Sequence, residues 1–544
     1  MTSKQKTSLI FALFPLLIAV LIMAPRLASP QFGVMDDSLI YVEVQKLLQG
    51  DLGMSYDLQA GRFRPLYWLY YTLIYLLAGP NPFWFFFGHL VILLVLLVEI
   101  RLLMKAMGAL DWQILLTSLV FVFSIPIIEN FYTLSKGDPL SLVFILASLL
   151  CFEKLKRAER ASHKWAFVIL AFLNGLFAIW AKETAYIMAP ISACWAGIVL
   201  IQRKKFSVQE QKSYLFFFLS MAASMAAFFL IRALFGSPPV SEGSFTARYD
   251  FALGSLLERI PRWITLYTSY YHYLVPTAIL VLIVLFTHKE LDAKQKLPFF
   301  TWGIWLLAWA GALLPWEFAR AYYLLAFSLG AAILIGWFAL PIADMLKQSP
   351  KKLRWMITAL AAASLLMFMA SLTHYRTHAK AQLIFDRMNH QMLEITTQIT
   401  PPDGLVFISL EERKEYVEGI EYFLVDFYGM NEIEYTHIDV GTLERLHLYH
   451  GGVVNMPYVN NMPALLVRAG VDNEFTMLWN EIVLRNQGNR LILVDQVRED
   501  FRIVNLNLSV VLCPLVGPHG YCEHPDPFLD TRKFTYGWDI FTIR

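Results

Sequence analysis

The sequence has 544 residues, of which 57% are hydrophobic and only 16% are charged. An average soluble protein carries about 25% charged residues, so this composition excludes an ordinary soluble enzyme. The formal net charge is +2, which gives no indication of a nucleic-acid partner.

Hydrophobic stretches dominate the first 373 residues. A helix needs about 20 apolar residues to cross the roughly 30 Å hydrocarbon core of a bilayer. The first stretch follows Lys4 and Lys6, and we interpret it as a signal anchor because further spans follow it. The eleven candidate spans lie near 8–24, 83–103, 112–128, 139–152, 165–181, 184–201, 213–235, 263–287, 298–315, 320–341 and 355–373.

Residues 65–79 form a further apolar stretch, which is short for a span. If this stretch does not cross the membrane, the strongly basic loops all fall on the side of the N-terminus, as the positive-inside rule requires. We therefore predict a juxtamembrane helix at 65–79 that lies in the interface, a depth that suits its Tyr and Trp side chains. The chain then has about eleven spans, with its N-terminus inside and its C-terminus outside. The basic loops are 153–164, 202–206, 288–296 and 347–355.

Charged side chains collect on the predicted outer face. Asp36 and Asp37 are adjacent in a long first outer loop, about residues 25–82. Asp37 is predicted to cap a helix that begins at Ser38, and both a cap and a catalytic carboxylate are open interpretations of this residue. The other outer candidates are Glu129, Lys136, Asp138, Lys182, Glu183, Arg248 and Arg320.

The composition after residue 373 becomes that of a soluble domain. We predict a transmembrane domain over 1–373 and an extracytoplasmic α/β domain over 374–544, whose compact part begins after 400–404. Cys513 and Cys522 could form a disulfide if this domain faces an oxidising compartment. Strands are predicted within 404–410, 433–439, 490–496 and 501–507, and helices over 412–429 and 441–451.

Several outer motifs of residues 1–200 form a recognisable series. They are an acidic residue in the first outer loop (Asp36 or Asp37), Arg64-Pro65-Leu66, Gly79-Pro80-Asn81-Pro82, Pro126 followed by Glu129, then Lys136, Asp138 and Leu140, and Lys182-Glu183. This series resembles the GT-C superfamily of membrane glycosyltransferases, and within it the protein O-mannosyltransferases and the aminoarabinose transferases.

The resemblance implies a donor sugar on a polyprenyl-phosphate carrier and a protein, lipid or glycan acceptor. It implies a hexosyl- or pentosyltransferase that inverts the sugar without a covalent intermediate. It also implies a multi-pass protein of a bacterial inner (plasma) membrane, with the active site on the extracytoplasmic face.

Each outer candidate has a predicted role under this hypothesis. An acceptor hydroxyl needs a base, for which we favour Asp37 narrowly over Asp36, since an adjacent like charge raises a carboxylate's pKa. No metal site is assigned, although Glu129 and Asp138 are candidates for binding a divalent cation or for pairing with Lys136. The predicted phosphate ligands, in order, are Arg320, Arg64, Lys182 and Arg248, and the predicted acceptor-orienting residues are Glu129, Lys136, Asp138 and Glu183.

Two other functions compete with this hypothesis. A surface-polysaccharide ligase or polymerase would use a diphosphate-linked donor in a similar site. A transporter of lipid-linked sugars would place polar residues near mid-membrane and show repeat symmetry. Neither feature is evident in the sequence, so the transporter is the weaker alternative.

Overall fold

The computed structural model describes residues 3–34, 36–50, 62–234, 250–287, 293–316, 320–401, 404–408, 419–430, 434–437, 450–461, 491–516, 522 and 525–544. The predicted phosphate ligand Arg248 lies outside these residues, as does the predicted helix at 441–451 except for its last two positions. The predicted helix at 412–429 is described from residue 419 and ends before Gly429, whose φ of 73° suits a glycine after a helix.

Helices make up most of the described chain. The helix Pro82–Met107, α4, shows how the sequence sets helix ends: the Asn81 side chain accepts the N–H of Phe83 at its start, and Gly108 follows its end with a φ of 93°. The helices are α1 (Ser3–Ala28), α2 (Asp36–Leu48), α3 (Pro65–Ala78), α4 (Pro82–Met107), α5 (Asp111–Val122), α6 (Ile125–Phe131), α7 (Asp138–Arg157), α8 (Ala161–Ala181), α9 (Met188–Ile201), α10 (Val208–Leu234), α11 (Leu253–Tyr271), α12 (Leu274–Thr287), α13 (Ala293–Leu313), α14 (Leu325–Gln348), α15 (Lys351–Ile399) and α16 (Cys513–Val516).

The prediction of a multi-span helical protein is confirmed. Within the described ranges, seven helical segments are long and apolar enough to cross a membrane, and the number is nine if two bent pairs each count as one span. The predicted spans at 139–152 and 298–315 are helical as α7 and α13 but are not among those nine. The count of eleven stays a prediction.

Two predicted spans are bent rather than straight. Helices α5 and α6 meet at 61°, and α11 and α12 meet at 84°. In both cases a proline, Pro126 or Pro276, lies in the first turn of the second helix. Proline is tolerated there because the first N–H groups of a helix have no intrahelical partner. The stretch 263–287 is therefore two helices, not the single straight span that hydropathy predicts.

Helix α3 corresponds to the predicted juxtamembrane helix. Its 14 residues reach about 21 Å, which is shorter than the hydrocarbon core. Tyr67, Trp68 and Tyr71 are buried on one face, whereas the leucines at 69, 73, 76 and 77 form an exposed stripe on the other. This two-faced pattern suits a helix at an interface, which stays a prediction because the structure contains no membrane.

Helix α15 joins the two predicted domains without a break. It continues through residue 374, the predicted boundary, to Ile399, and the first strand follows at Leu405. Its C-terminal half packs against the strand region, where the Asn389 side-chain oxygen accepts hydrogen bonds from Tyr536 and Trp538, both at 2.9 Å. The division at 373/374 stays a prediction.

The described residues of the C-terminal region contain a mixed five-stranded sheet, whose strands in spatial order are β2 (Glu434–His437), β1 (Leu405–Ile408), β3 (Val453–Asn460), β7 (Lys533–Ile543) and β4 (Leu491–Arg502). Strand β1 is parallel to β2 and β3, and β7 is antiparallel to β3 and β4. Cys513 and Cys522 form a disulfide with Cα atoms 5.2 Å apart. The other described strands are β5 (Asn505–Leu506) and β6 (Leu529–Asp530).

Candidate functional site

Many of the outer candidates meet around a short connector, residues 132–137, between α6 and α7. Gly137 in this connector lies against Ala181 at the end of α8, where a Cβ atom on residue 137 would be 2.4 Å from the Ala181 carbonyl oxygen. Only glycine permits this approach, which brings Asp138 next to Lys182. The N–H of Leu134, also in the connector, donates to Asp37 at 2.8 Å. The connector therefore links the predicted base to a predicted phosphate ligand.

Asp37 is 2% exposed, and both of its carboxylate oxygens accept backbone hydrogen bonds. Oδ1 accepts the N–H of Leu134 and Oδ2 accepts the N–H of Gly33, each at 2.8 Å. The pKa of Asp37 is raised to about 6, chiefly because burial penalises the charged form and secondly because Asp386 lies nearby. The two N–H donors and Arg26 oppose this increase in pKa.

The predicted helix cap at Asp37 is wrong. Helix α2 begins at Asp36, one residue earlier than Asp37. The Asp37 carboxylate accepts an N–H four residues before it in the sequence and one from the connector, instead of the N–H groups of its own helix. These contacts hold the first outer loop against the connector.

A buried ion pair lies beside Asp37. Arg26, in the last turn of α1, is fully buried, and its Nη2 is 2.8 Å from Oδ2 of Asp386 on α15. Gln382 donates to both oxygens of Asp386, at 3.1 and 2.9 Å. Oxygens of Asp37 and Asp386 both lie within 3.5 Å of the point where a Cβ of Gly33 would be. The pair therefore ties α1 to α15 and contributes to the electrostatics of Asp37.

Cations gather on the other side of the connector. Lys182 Nζ is 3.4 Å from Asp138 Oδ2 and 5.5 Å from the centre of the Tyr323 ring. The pKa of Lys182 is lowered, first because burial penalises the ammonium ion and also because Arg64 and Arg62 are close, while Asp138 opposes the change. Asp138 and Glu183 are close to the same three cations, so the cations outnumber the carboxylates by one. This cluster can bind a phosphate.

Glu129 is held by two other elements. Its Oε2 accepts the N–H of Tyr322 at 3.1 Å, and its Oε1 is 3.2 Å from Nδ1 of His378 on α15. Lys136 lies over the Tyr322 ring, with Nζ 4.3 Å from the ring centre. The hydroxyl of Tyr270 is 3.5 Å from the other ring nitrogen of His378. Helix α15 thus contributes a wall of the site that also carries Asp386.

The remaining predicted residues are placed as follows. Glu183 accepts the N–H of Phe63 at 2.9 Å and so fixes the backbone between Arg62 and Arg64. Arg320 and Glu129 both interact electrostatically with Tyr270, which places Arg320 on the Glu129 side of the site. Asp36 begins α2, and its side chain is outside the described part of the structure. The catalytic and binding roles of all these residues stay predictions.

Sequence reasoning missed Arg26, His378 and Asp386. Arg26 lies two residues beyond the predicted first span, 8–24. The two α15 residues were assigned to a separate domain, although a regular signal was present. Polar residues recur every four positions, which places them on one face of a helix. This series is His374, His378, Gln382, Asp386 and His390, and all five are buried.

Glu129 and Asp138, the candidates for a divalent cation, do not share a site. Glu129 faces His378, and Asp138 faces Lys182. Across the described residues, no group of three or more His, Cys, Asp or Glu side chains is arranged to hold a metal ion. The described residues around Glu129 and Asp138 therefore do not fit a metal centre.

No family model and no curated protein matches this sequence. Solved structures do show similarity. ArnT from Cupriavidus metallidurans bound to undecaprenyl phosphate has 11% identity and a TM-score of 0.48, with 81% of this chain and 92% of that chain covered. The Archaeoglobus fulgidus oligosaccharyltransferase in its apo form has 13% identity and a TM-score of 0.48, with coverages of 89% and 70%. The mycobacterial arabinofuranosyltransferase AftD has 12% identity and a TM-score of 0.40, with coverages of 73% and 29%. The similarity is one of overall chain path and assigns no residue a role.

Proposed function

We propose that the protein is an integral-membrane glycosyltransferase of the GT-C type. It moves a sugar from a polyprenyl-phosphate carrier to an acceptor hydroxyl on the outer face of the membrane, with inversion at the sugar. The observation that carries the proposal is the arrangement around the connector. A buried carboxylate, Asp37, lies on one side, and a cation cluster that includes the buried Arg64 and the partly exposed Lys182 lies on the other.

The carboxylate supplies the base. In the proposed step the acceptor oxygen bonds to the anomeric carbon while the bond from that carbon to the phosphate oxygen breaks. The hydroxyl proton passes to Asp37, and the electron pair of the broken bond leaves with the phosphate. A pKa of about 6 keeps Asp37 mostly ionised near neutral pH, yet makes it more basic than an ordinary aspartate.

The cation cluster stabilises the leaving group. The lipid phosphate gains negative charge as the bond to the sugar breaks, and preplaced cations stabilise that charge without reorganisation. Arg64 offers a planar set of donors, and Lys182 supplies a compact charge. Arg62, Arg64 and Lys182 outnumber Asp138 and Glu183 by one, so the site carries net positive charge that favours binding of an anion.

Two further observations support placing the site on the outer side of the membrane. The positive-inside rule places the connector and the C-terminal region on the outer side. The Cys513–Cys522 disulfide supports the same orientation, because disulfides persist in oxidising compartments outside the cytoplasm. A bacterial inner membrane is our proposal for the location.

The test is transfer of labelled sugar by purified protein in lipid nanodiscs. A panel of polyprenyl-monophosphate hexoses and pentoses is offered with protein, lipid and glycan acceptors, and the sugar's anomeric configuration is read in the product. We expect transfer from at least one monophosphate donor with inversion. Transfer only from diphosphate-linked oligosaccharide would support the ligase instead. Movement of intact donor across the bilayer without transfer would support the transporter.

A further inference from the structure

The C-terminal region carries an apolar surface at the place where α15 leaves the predicted span 355–373. His374 Nε2 is 3.1 Å from the carbonyl oxygen of Leu506, and the N–H of Leu506 donates to the Thr373 hydroxyl at 3.4 Å. Leu506 lies in β5, which pairs with β6. The β5–β6 ribbon is therefore level with the outer end of the predicted span.

Large apolar side chains on this ribbon and beside it are exposed. Val511 is 63%, Phe528 49% and Leu529 58% exposed. The backbone beneath them is firmly held. Arg532 donates to both oxygens of the fully buried Asp530, at 2.9 and 2.8 Å, and the N–H of Asn507 donates to the carbonyl of Phe528 at 2.8 Å. The apolar side chains are thus presented by a rigid, hydrogen-bonded scaffold.

Helix α11 extends this surface. The 3-10 turn Leu508–Leu512, which contains Val511, packs against α11. Leu253, Leu257 and Ile264 are exposed at intervals of four and seven residues, which places them on one face of α11. Among the charged residues of α11, Arg259 donates to the Pro315 carbonyl, and Glu258 and Arg262 form an exposed ion pair one turn apart on the helix, which supplies the polar side of an amphipathic helix.

The angle between α11 and α12 indicates how α11 is oriented relative to the membrane. The two helices meet at 84°, so if α12 runs across the membrane, α11 lies close to the membrane plane. An amphipathic helix in that position buries its apolar face at the boundary between headgroups and acyl chains. The ribbon beside it is at the same level.

We propose that α11 and the β5–β6 ribbon with its neighbouring 3-10 turn form one lipid-binding surface that seats the C-terminal region on the outer leaflet. The occupant is the bilayer itself, because the surface is continuous with membrane-crossing helices and level with the end of one of them. This inference does not depend on the transfer reaction.

The test measures the depth of single labels in lipid nanodiscs. Cys151 and Cys194, the two free cysteines, are replaced by serine and the disulfide is kept. An environment-sensitive fluorophore is then attached at Leu257→Cys, Val511→Cys or Leu529→Cys. The control is Asp500→Cys, a position further from the predicted membrane surface. Its neighbour Glu499 pairs with Arg387, which lies 13 positions and about 20 Å further along α15 than His374.

Each quencher gives a distinct result. We expect lipids spin-labelled near the headgroup to quench the labels at 257, 511 and 529 at least twofold more than the label at 500. We expect aqueous iodide to quench the label at 500 more than the labels at 257, 511 and 529. Iodide quenching at 511 and 529 equal to that at 500 would show a surface in water and overturn the proposal. Protection from both quenchers would show a protein cover and overturn it as well.

Discussion

The Arg26–Asp386 pair should control the pH dependence of the proposed transfer, and substitutions of its two members should shift that dependence in opposite directions. If Asp37 is the base, transfer requires its ionised form, and the rate falls at acidic pH with a midpoint near the Asp37 pKa of about 6. Asp386→Asn removes a negative charge that raises this pKa, so the midpoint moves to lower pH. Arg26→Gln removes a positive charge that lowers it, so the midpoint moves to higher pH.

The size of the shift follows from the geometry. Oxygens of Asp37 and Asp386 lie within 3.5 Å of a common point, so their separation is at most about 7 Å. At an effective dielectric constant of 20, two unit charges at that distance interact by about 2 kcal/mol, or about 1.5 pH units. We expect Asp386→Asn to shift the midpoint by about one unit, since Arg26 offsets part of the Asp386 charge.

The assay is the pH dependence of kcat/KM for the acceptor, from pH 4.5 to 8.5. Breaking a buried ion pair lowers stability by about 3–5 kcal/mol, but the midpoint does not depend on the fraction of folded protein. Glu153→Gln is the matched control, because it breaks the Lys156–Glu153 pair at the far end of α7. Two results would refute the assignment of Asp37 as the titrating base. One is the same pH midpoint in all variants, and the other is a shift of the midpoint in the same direction in Asp386→Asn and Arg26→Gln.

Other substitutions test the remaining parts of the site. Lys182→Ala should weaken binding of the polyprenyl-phosphate sugar about 10- to 100-fold in a titration, the loss of one charge-assisted contact, whereas Lys182→Arg should retain most affinity. With Lys182 in place, donor affinity should fall at alkaline pH, because its lowered pKa removes its charge earlier than that of an ordinary lysine. His378→Ala should raise the KM for the acceptor about tenfold, because it removes the contact that holds Glu129. His378→Gln should show a smaller increase in KM. Unchanged kinetics in both variants would show that Glu129 does not position the acceptor. Replacing Cys513 and Cys522 by serine should lower the unfolding free energy of the C-terminal region by about 2–3 kcal/mol in calorimetry without abolishing transfer.

The helical framework was predictable because hydropathy and charge report it directly. The helix at 65–79 is the clearest case: the short apolar stretch predicts a short helix, and α3 is 14 residues long with a buried aromatic face, while its place in the interface stays a prediction. The bend in 263–287 was not predictable from hydropathy, because hydropathy does not report the direction in which a helix runs. Its signal was Pro276, whose place in the first turn of a helix becomes evident only when that helix is known to begin at Leu274.

Strands β3 and β7 were missed for a local reason. Pro457 and Gly537 are residues that weaken a strand assignment. The described pairing of β1 with β3 ends at Asn455, so Pro457 lies beyond the part of β3 that pairs with β1. Gly537 lies against the Val497 carbonyl oxygen, and a Cβ atom at position 537 would clash with that oxygen. Both exceptions depend on neighbouring strands that are distant in sequence.

The site was predictable in part. Lys182, Asp138 and Glu129 were found because each lies at the predicted outer end of a hydrophobic segment, and Asp37 because it is one of two adjacent carboxylates in the first outer loop. Their partners on α15 were not found, because the assumed boundary at residue 374 separated them from the membrane domain. The buried contacts Arg26–Asp386 and His378–Glu129 cross about 360 and 250 positions of sequence, respectively, and such pairings follow from the fold and not from local pattern.

Single-turnover transfer by Asp37→Asn, measured beside donor binding, tests the proposed reaction most directly. With the donor that the wild type uses, we expect Asp37→Asn to bind within about twofold of wild-type affinity and to transfer sugar about 10²- to 10⁴-fold more slowly, the usual contribution of a general base. The same measurement on Asp36→Asn distinguishes the neighbouring carboxylate. Wild-type transfer rates in Asp37→Asn would contradict the proposed base, and a loss of rate that only follows a loss of donor binding would make Asp37 a structural contact of the connector.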